Sequence, residues 1–119
     1  MAKTRILIAD DHAVFREGLR RILEQEKDLK VVGEASDGEE AVSMVDELKP
    51  DVVLMDIVMP KLSGVEATKI IKKVNPLTCI LILTAYSDIH YILGLMEAGA
   101  SGYLLKSARA QEVVGSIRA

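Results

Sequence analysis

Asp10-Asp11, Asp56, Thr84 and Lys106 each follow a short apolar run, and as a set they suit the handling of a phosphoryl group. The runs are Ile6-Leu7-Ile8-Ala9, Val52-Val53-Leu54-Met55, Ile80-Leu81-Ile82-Leu83 and Tyr103-Leu104-Leu105. As parallel strands they would project all of these endings from one edge of one sheet. Like charges about 4 Å apart repel by roughly 1 kcal/mol in water and about 4 kcal/mol at an effective dielectric near 20. A proton or a divalent cation relieves that repulsion. Hard oxygen ligands with open water positions favour Mg²⁺ or Mn²⁺, and the cysteine and histidine spacing of a zinc site is absent. Asp56 is the best nucleophile candidate, because it ends the central run and a loop, Ile57-Val58-Met59-Pro60, follows it. Carboxylates form acyl-phosphate intermediates in such chemistry. The phosphoryl oxygens then need neutralising by the metal, the Lys106 ammonium, and the Thr84 hydroxyl with nearby backbone amides.

The elements that must position these groups follow from spacing. Strand ends are expected at Asp10, Ala35, Asp56, Thr84 and Lys106, about 20–30 residues apart, enough for a crossover helix and a parallel neighbour. The runs do not alternate in polarity, as expected of strands covered on both faces. Helical stripes separate them: Phe15, Leu19, Ile22 and Leu23; Ala41, Val45 and Leu48; Ala67, Ile70, Ile71 and Val74; Ile89, Ile92, Leu93 and Met96; Ala110, Val113, Val114 and Ile117. Asp37 with Glu40 and Ser63 with Glu66 have capping-box spacing, while Pro50, Pro76 and Gly99 follow helix ends. Five such units predict an α/β fold, a (βα)5 three-layer sandwich with a five-stranded parallel sheet. Flavodoxin-like sheets of this kind, ordered 2-1-3-4-5, bind ligands beyond the carboxyl ends of their strands.

A chain of 119 residues forms one domain. With 50% hydrophobic and 28% charged residues its composition is globular, and its scarce aromatics predict an aliphatic core. The net charge of −3 argues against this segment gripping nucleic acid by itself, since phosphate-backbone binding needs a basic face. Cys79, the sole cysteine, excludes an internal disulfide and is expected to be buried as a small hydrophobe. No apolar stretch approaches the roughly 18 residues of a membrane span. Lys3 and Arg5 precede too short an apolar run for a signal peptide. A reduced, cytoplasmic setting is therefore expected.

The set Asp10-Asp11, Asp56 with Met59-Pro60 and Gly64, Thr84-Ala85, and Gly102-Tyr103-Leu104-Leu105-Lys106 resembles the receiver domains of bacterial two-component response regulators. The resemblance covers essentially the whole chain, 1–119. It implies that Asp56 accepts phosphate from the phosphohistidine of a sensor histidine kinase. Asp11 and Asp56 would bind Mg²⁺ with the backbone carbonyl of Val58, and Asp10 would help through water. Thr84 and Lys106 would contact the phosphoryl group, and their movement would reorient Tyr103 to alter a partner-binding face. The stretch Val31 to Ala41, with Asp11-His12 and Ala98-Gly99-Ala100, is similar to the NarL/FixJ-like subfamily, whose members carry a LuxR-type helix-turn-helix output. That subfamily implies a homodimer on phosphorylation, and a C-terminal DNA-binding domain is expected beyond Ala119. A stand-alone receiver acting through protein contacts is the alternative. Ser107 stands where many receivers have proline, so a cis peptide after Lys106 is not expected.

Other residues carry weaker signals. His12 and His90 invite a phosphohistidine, but His12 at a helix start is better read as a solvated or capping residue. Lys72-Lys73 and Arg20-Arg21 read as solvated helix faces, as do Arg109, Glu112 and Arg118, for which a dimer contact is the alternative. Val58 and Tyr86 lie two residues after Asp56 and Thr84, positions that in this family flank the path of hydrolytic water. Neither can hold that water as an acid or amide would, which predicts slow self-dephosphorylation. A haloacid-dehalogenase-type phosphatase would need a second aspartate where Val58 stands. A flavin carrier would need a phosphate-cradling first loop, which Asp10-Asp11 would repel. A degenerate receiver that works without phosphorylation is at odds with the intact set.

Overall fold

The computed structural model describes residues 3–85, 90 and 92–118. Strand and helix alternate along the chain: β1 (Thr4–Ala9), α1 (Ala13–Glu24), β2 (Leu29–Ala35), α2 (Gly38–Leu48), β3 (Val52–Asp56), α3 (Gly64–Val74), β4 (Cys79–Thr84), α4 (Ile92–Glu97), β5 (Gly102–Leu105) and α5 (Ala110–Arg118). All strand pairings are parallel and the sheet order is β2-β1-β3-β4-β5. The expected flavodoxin-like sandwich is what the chain forms. β1 and β5 stop one residue short of Asp10 and Lys106, which therefore begin loops.

Two apolar clusters explain the three layers. Leu7, Ala9, Val53, Met55, Ile80 and Ile82 face α2, α3 and α4, packing on Ala41, Val45, Ala67, Ile71 and Leu95. The alternate residues Ile6, Ile8, Leu54, Leu81 and Leu83 face α1 and α5, packing on Leu19, Leu23, Val113, Val114 and Ile117. Successive side chains of a strand point to opposite faces, so a strand buried on both faces must be apolar throughout. This is why the runs do not alternate.

The caps form as their spacing predicts. Asp37 Oδ1 accepts the Glu40 amide at 2.8 Å while Glu40 Oε1 accepts the Ser36 amide at 3.0 Å. Ser63 Oγ accepts the Glu66 amide at 3.2 Å. Gly99 follows α4 at φ +110°, a conformation open to glycine.

Several stripes are narrower than their periodicity suggests. Ile70 and Val74 are exposed, because Ala67, Thr68 and Ile71 supply the buried face of α3. Leu93 and Met96 are exposed, and Leu95 is the buried residue of a six-residue α4. Ala110 is exposed as well, at the start of α5. Ile89 falls outside the described residues. Cys79 corrects a firmer expectation: it is exposed. As the first residue of β4 it sits at the amino edge of the sheet, with its amide 3.0 Å from the Asp51 carbonyl. The peptide after Lys106 is trans, as are all peptides among the described residues. None of the described helices is long and apolar enough to cross a membrane.

Candidate functional site

Parallel pairing places the ends of β1, β3, β4 and β5 at one edge of the sheet. Asp10 follows β1, its amide bound to the Ala35 carbonyl of β2 at 3.0 Å. Its side chain is fully buried and turned into the edge. Asp10 Oδ1 accepts the His12 amide at 2.8 Å, and the Arg16 guanidinium donates to the Asp10 carbonyl. The acidic loop is thus tied down from α1.

Asp56 ends β3 and is 4% exposed. Its Oδ1 accepts the Ile57 amide at 2.9 Å. Lys106 completes the centre, with Nζ 3.1 Å from Asp56 Oδ2 and 2.9 Å from Asp10 Oδ2. The backbone that carries this lysine is fixed by its own amide on the Thr84 carbonyl at 2.9 Å. Asp11 lies on the open side with a third of its side chain exposed.

The electrostatics follow from burial and from this sharing of one cation. Burial pushes the Asp56 carboxyl above the usual carboxylate range; the charge of Asp10 adds to the shift, and Lys106 and the Ile57 amide oppose it. Burial opposes the charge on Lys106, yet contact with Asp10 and the charge of Asp56 outweigh it and hold the ammonium above the usual lysine range. The folded state therefore holds the Asp56 proton more tightly than the unfolded chain does. Stability from this group is complete below the unfolded value of about 3.9 and is lost as pH rises through the raised folded value. At neutral pH the ionised Asp56 costs stability. Asp56→Asn is accordingly expected to raise the melting temperature at pH 7 in chelator, with the gain shrinking on acidification. A melting temperature at or below that of the parent would contradict this reading of the charge.

Asp10, Asp11, His12 and Asp56 each offer a ligand atom, and all of these lie within 4.8 Å of one another. Asp10 Oδ2, although ion-paired with Lys106, makes no hydrogen bond of ordinary geometry, so a buried oxygen keeps unused acceptor capacity. Three carboxylates with one partly open side fit a hard divalent cation that retains several waters.

The structure brings together Asp10, Asp11, Asp56 and Lys106, as the sequence predicts. Thr84 is fully buried at the same edge, but its hydroxyl donates to the Ala85 carbonyl at 3.0 Å. Val58 lies in the β3–α3 loop and is 57% exposed, and Tyr103 stands 45% exposed on β5. Tyr86 lies outside the described residues. His12 caps the backbone of α1 without a side-chain capping bond, and its Nδ1 is 3.0 Å from Asp10 and 3.2 Å from Asp11. Arg118 pairs with Glu26 and Asp28 of the same chain.

Three contributors escape a reading by type. Arg16 bridges the Asp10 carbonyl and Glu34 of β2, with Nε 3.2 Å from Glu34 Oε1. Arg20 reaches the same carboxylate at 2.8 Å and is the chief cause of its lowered pKa. Phe15 is read as core from its stripe, yet its ring centroid lies 4.9 Å from Lys106 Nζ. Gly64 donates its amide to the Ile57 carbonyl at 2.7 Å, and a Cβ there would meet the Asp56 carbonyl at 2.3 Å.

This fold and this edge are those of one class: the chain belongs to the response regulator receiver domain family, which it matches over residues 6–118. Among curated proteins it is 44% identical to the transcriptional regulatory protein DegU of Brevibacillus brevis over 116 residues, covering 98% of this chain and 49% of that protein. It is 48% identical to the response regulator UvrY of Escherichia coli over 113 residues, covering 95% of this chain and 52% of the relative. The signal receiver domain of the putative response regulator NarL from Mycobacterium tuberculosis superposes with a TM-score of 0.94 at 32% identity, covering 99% and 95% of the two chains. The chain spans about half the length of the curated relatives it matches.

Proposed function

We propose that this receiver accepts a phosphoryl group on Asp56 from the phosphohistidine of a sensor histidine kinase, with Mg²⁺ as cofactor. The observation that carries the reading is the sharing of Lys106 by two buried carboxylates, Asp10 and Asp56, at the carboxyl edge of the sheet. Asp11, Asp56 and the Val58 carbonyl would hold the ion and Asp10 would reach it through water; when bound, it neutralises the carboxylates and the incoming phosphoryl oxygens. An Asp56 oxygen attacks phosphorus, the bond from phosphorus to the histidine nitrogen breaks, and the histidine leaves with that electron pair. Lys106 exchanges its contact with Asp56 for one with a phosphoryl oxygen. Thr84 turns its hydroxyl away from the Ala85 carbonyl towards the same group. Its rotation vacates space that lets Tyr103 reorient, so the chain is a phosphoacceptor switch that assists its own modification and is not a conventional enzyme.

The names of the relatives as transcriptional regulators support an output that controls transcription; we read that output as a DNA-binding domain controlled by a phosphorylation-dependent homodimer in the cytoplasm. Transfer of label from radioactive acetyl phosphate tests the chemistry: a hydroxylamine-sensitive adduct is expected, and an adduct that survives hydroxylamine contradicts an acyl phosphate. Val58, two residues after Asp56, is apolar and exposed, which supports slow hydrolysis. The phosphorylated chain is expected to decay more slowly than its Tyr86→Glu variant, measured as loss of label after donor removal. Equal or faster decay contradicts that role.

A further inference from the structure

We propose that Phe15 is a positioning residue for Lys106, its ring face holding the ammonium between Asp10 and Asp56. The proposal rests on the phosphoacceptor reading above and adds to it a residue of α1. Lys106 carries a flexible four-carbon stem whose ordering is costly in entropy. It sits one residue beyond a four-residue strand, β5. Its Nζ has two carboxylate contacts, at 2.9 and 3.1 Å. Phe15 supplies a contact of a different kind, with the ring centroid at 4.9 Å, inside the range in which a ring face attracts a cation.

The carboxylate contacts change during transfer and the ring does not. Once Asp56 is an acyl phosphate, its charge resides on the phosphoryl oxygens and the lysine must follow. A partner of fixed electrostatics keeps Nζ in the crevice through that exchange. The ring is itself held in place. It is half-buried on the first turns of α1, and its neighbour Arg16 fastens that helix to the Asp10 carbonyl. Phe15 also lines, with Val14, Leu19, Leu105, Val113 and the stem of Lys106, a groove of about 290 Å³ that leaves the lysine its apolar path to the edge.

Phe15 is the only phenylalanine in the chain, so global replacement by mono-, di- and trifluorinated phenylalanine alters this ring alone. Fluorination drains the negative ring face while barely changing its size, which separates electrostatics from packing. The readout is the initial rate at which an Asp56 oxygen bonds to the phosphorus of acetyl phosphate as its bond to acetate breaks and acetate leaves, with melting temperature in parallel. The expected result is a stepwise fall in rate, about two- to tenfold across the series, at an unchanged melting temperature. Phe15→Tyr should keep the rate and Phe15→Leu should lower it as the trifluorinated ring does. A rate blind to fluorination, or one that falls only with melting temperature, overturns the positioning role while the phosphoacceptor reading stands. No adduct on the unsubstituted chain overturns both.

Discussion

Lys106→Met is expected to slow phosphorylation by acetyl phosphate about a hundredfold, the usual loss when one donor to a developing anionic charge is removed. It should also destabilise the chain, because Asp10 and Asp56 are then two buried carboxylates without their shared cation. Breaking a buried pair costs about 3–5 kcal/mol. With a fifth of the Lys106 side chain exposed, we expect about 2–3 kcal/mol at neutral pH. The loss carries a pH signature. Asp56 already holds its proton above the usual range, and removing its cationic partner pushes it further up. The variant should therefore recover stability as the pH falls and Asp56 is neutralised. Mg²⁺ should restore its melting temperature but not its rate, since the cation replaces the charge balance and not the lysine's contact with the phosphoryl group. Recovery of both, or a melting temperature independent of pH, would contradict the role assigned to Lys106.

The second large effect concerns a residue with no side chain. Gly64→Ala places a Cβ 2.3 Å from the Asp56 carbonyl and 2.9 Å from the Ile57 Cα, and both atoms belong to backbone that cannot rotate away. α3 and the end of β3 must separate, straining the Gly64–Ile57 hydrogen bond of 2.7 Å and shifting the Ile57 amide that holds Asp56 Oδ1. Overpacking of this kind costs about 1–3 kcal/mol, and backbone as the clashing partner puts Gly64→Ala at the upper end. At roughly 4–8 °C per kcal/mol for a small domain, a fall of about 10–20 °C is expected in thermal melts, with slower phosphorylation of the folded fraction. Gly18→Ala is the control. Nothing lies within 4 Å of a Cβ there, so replacing glycine inside α1 should stabilise by about 0.5–1 kcal/mol. Equal melting temperatures for the two variants would contradict the close approach at Gly64.

The parts of the architecture that depend on periodicity were readable in the sequence. Apolar runs without alternation required strands covered on both faces, and Asp37–Glu40 and Ser63–Glu66 marked the starts of α2 and α3. Side chains whose environment depends on where the sheet edge falls were harder to read. Cys79 looks like the first member of a buried run, yet the amino edge of β4 leaves it exposed. Leu93 and Met96 share a period with Ile92, but Leu95 is the buried residue of α4 and Ile92 packs against the same cluster, which leaves Leu93 and Met96 outside it.

At the site, residue types at strand ends located Asp10, Asp56 and Lys106, since parallel strands bring their carboxyl ends together whatever the sequence between them. Thr84 reached the same edge, but its rotamer, turned to the Ala85 carbonyl, is a local choice that no spacing encodes. Phe15 and Arg16 were hidden for a related reason. One sits in a stripe that also fills the core, and the other acts through a backbone carbonyl, which has no residue type to read.

The central claim is that Asp56 alone takes the phosphoryl group and needs a divalent cation to do so. Intact mass after incubation with acetyl phosphate and Mg²⁺ tests it most directly. The parent chain should gain the mass of one phosphoryl group, and the gain should vanish with chelator and in Asp56→Asn. An adduct that persists in Asp56→Asn, or no adduct with Mg²⁺ and any small phosphoryl donor, would contradict the account.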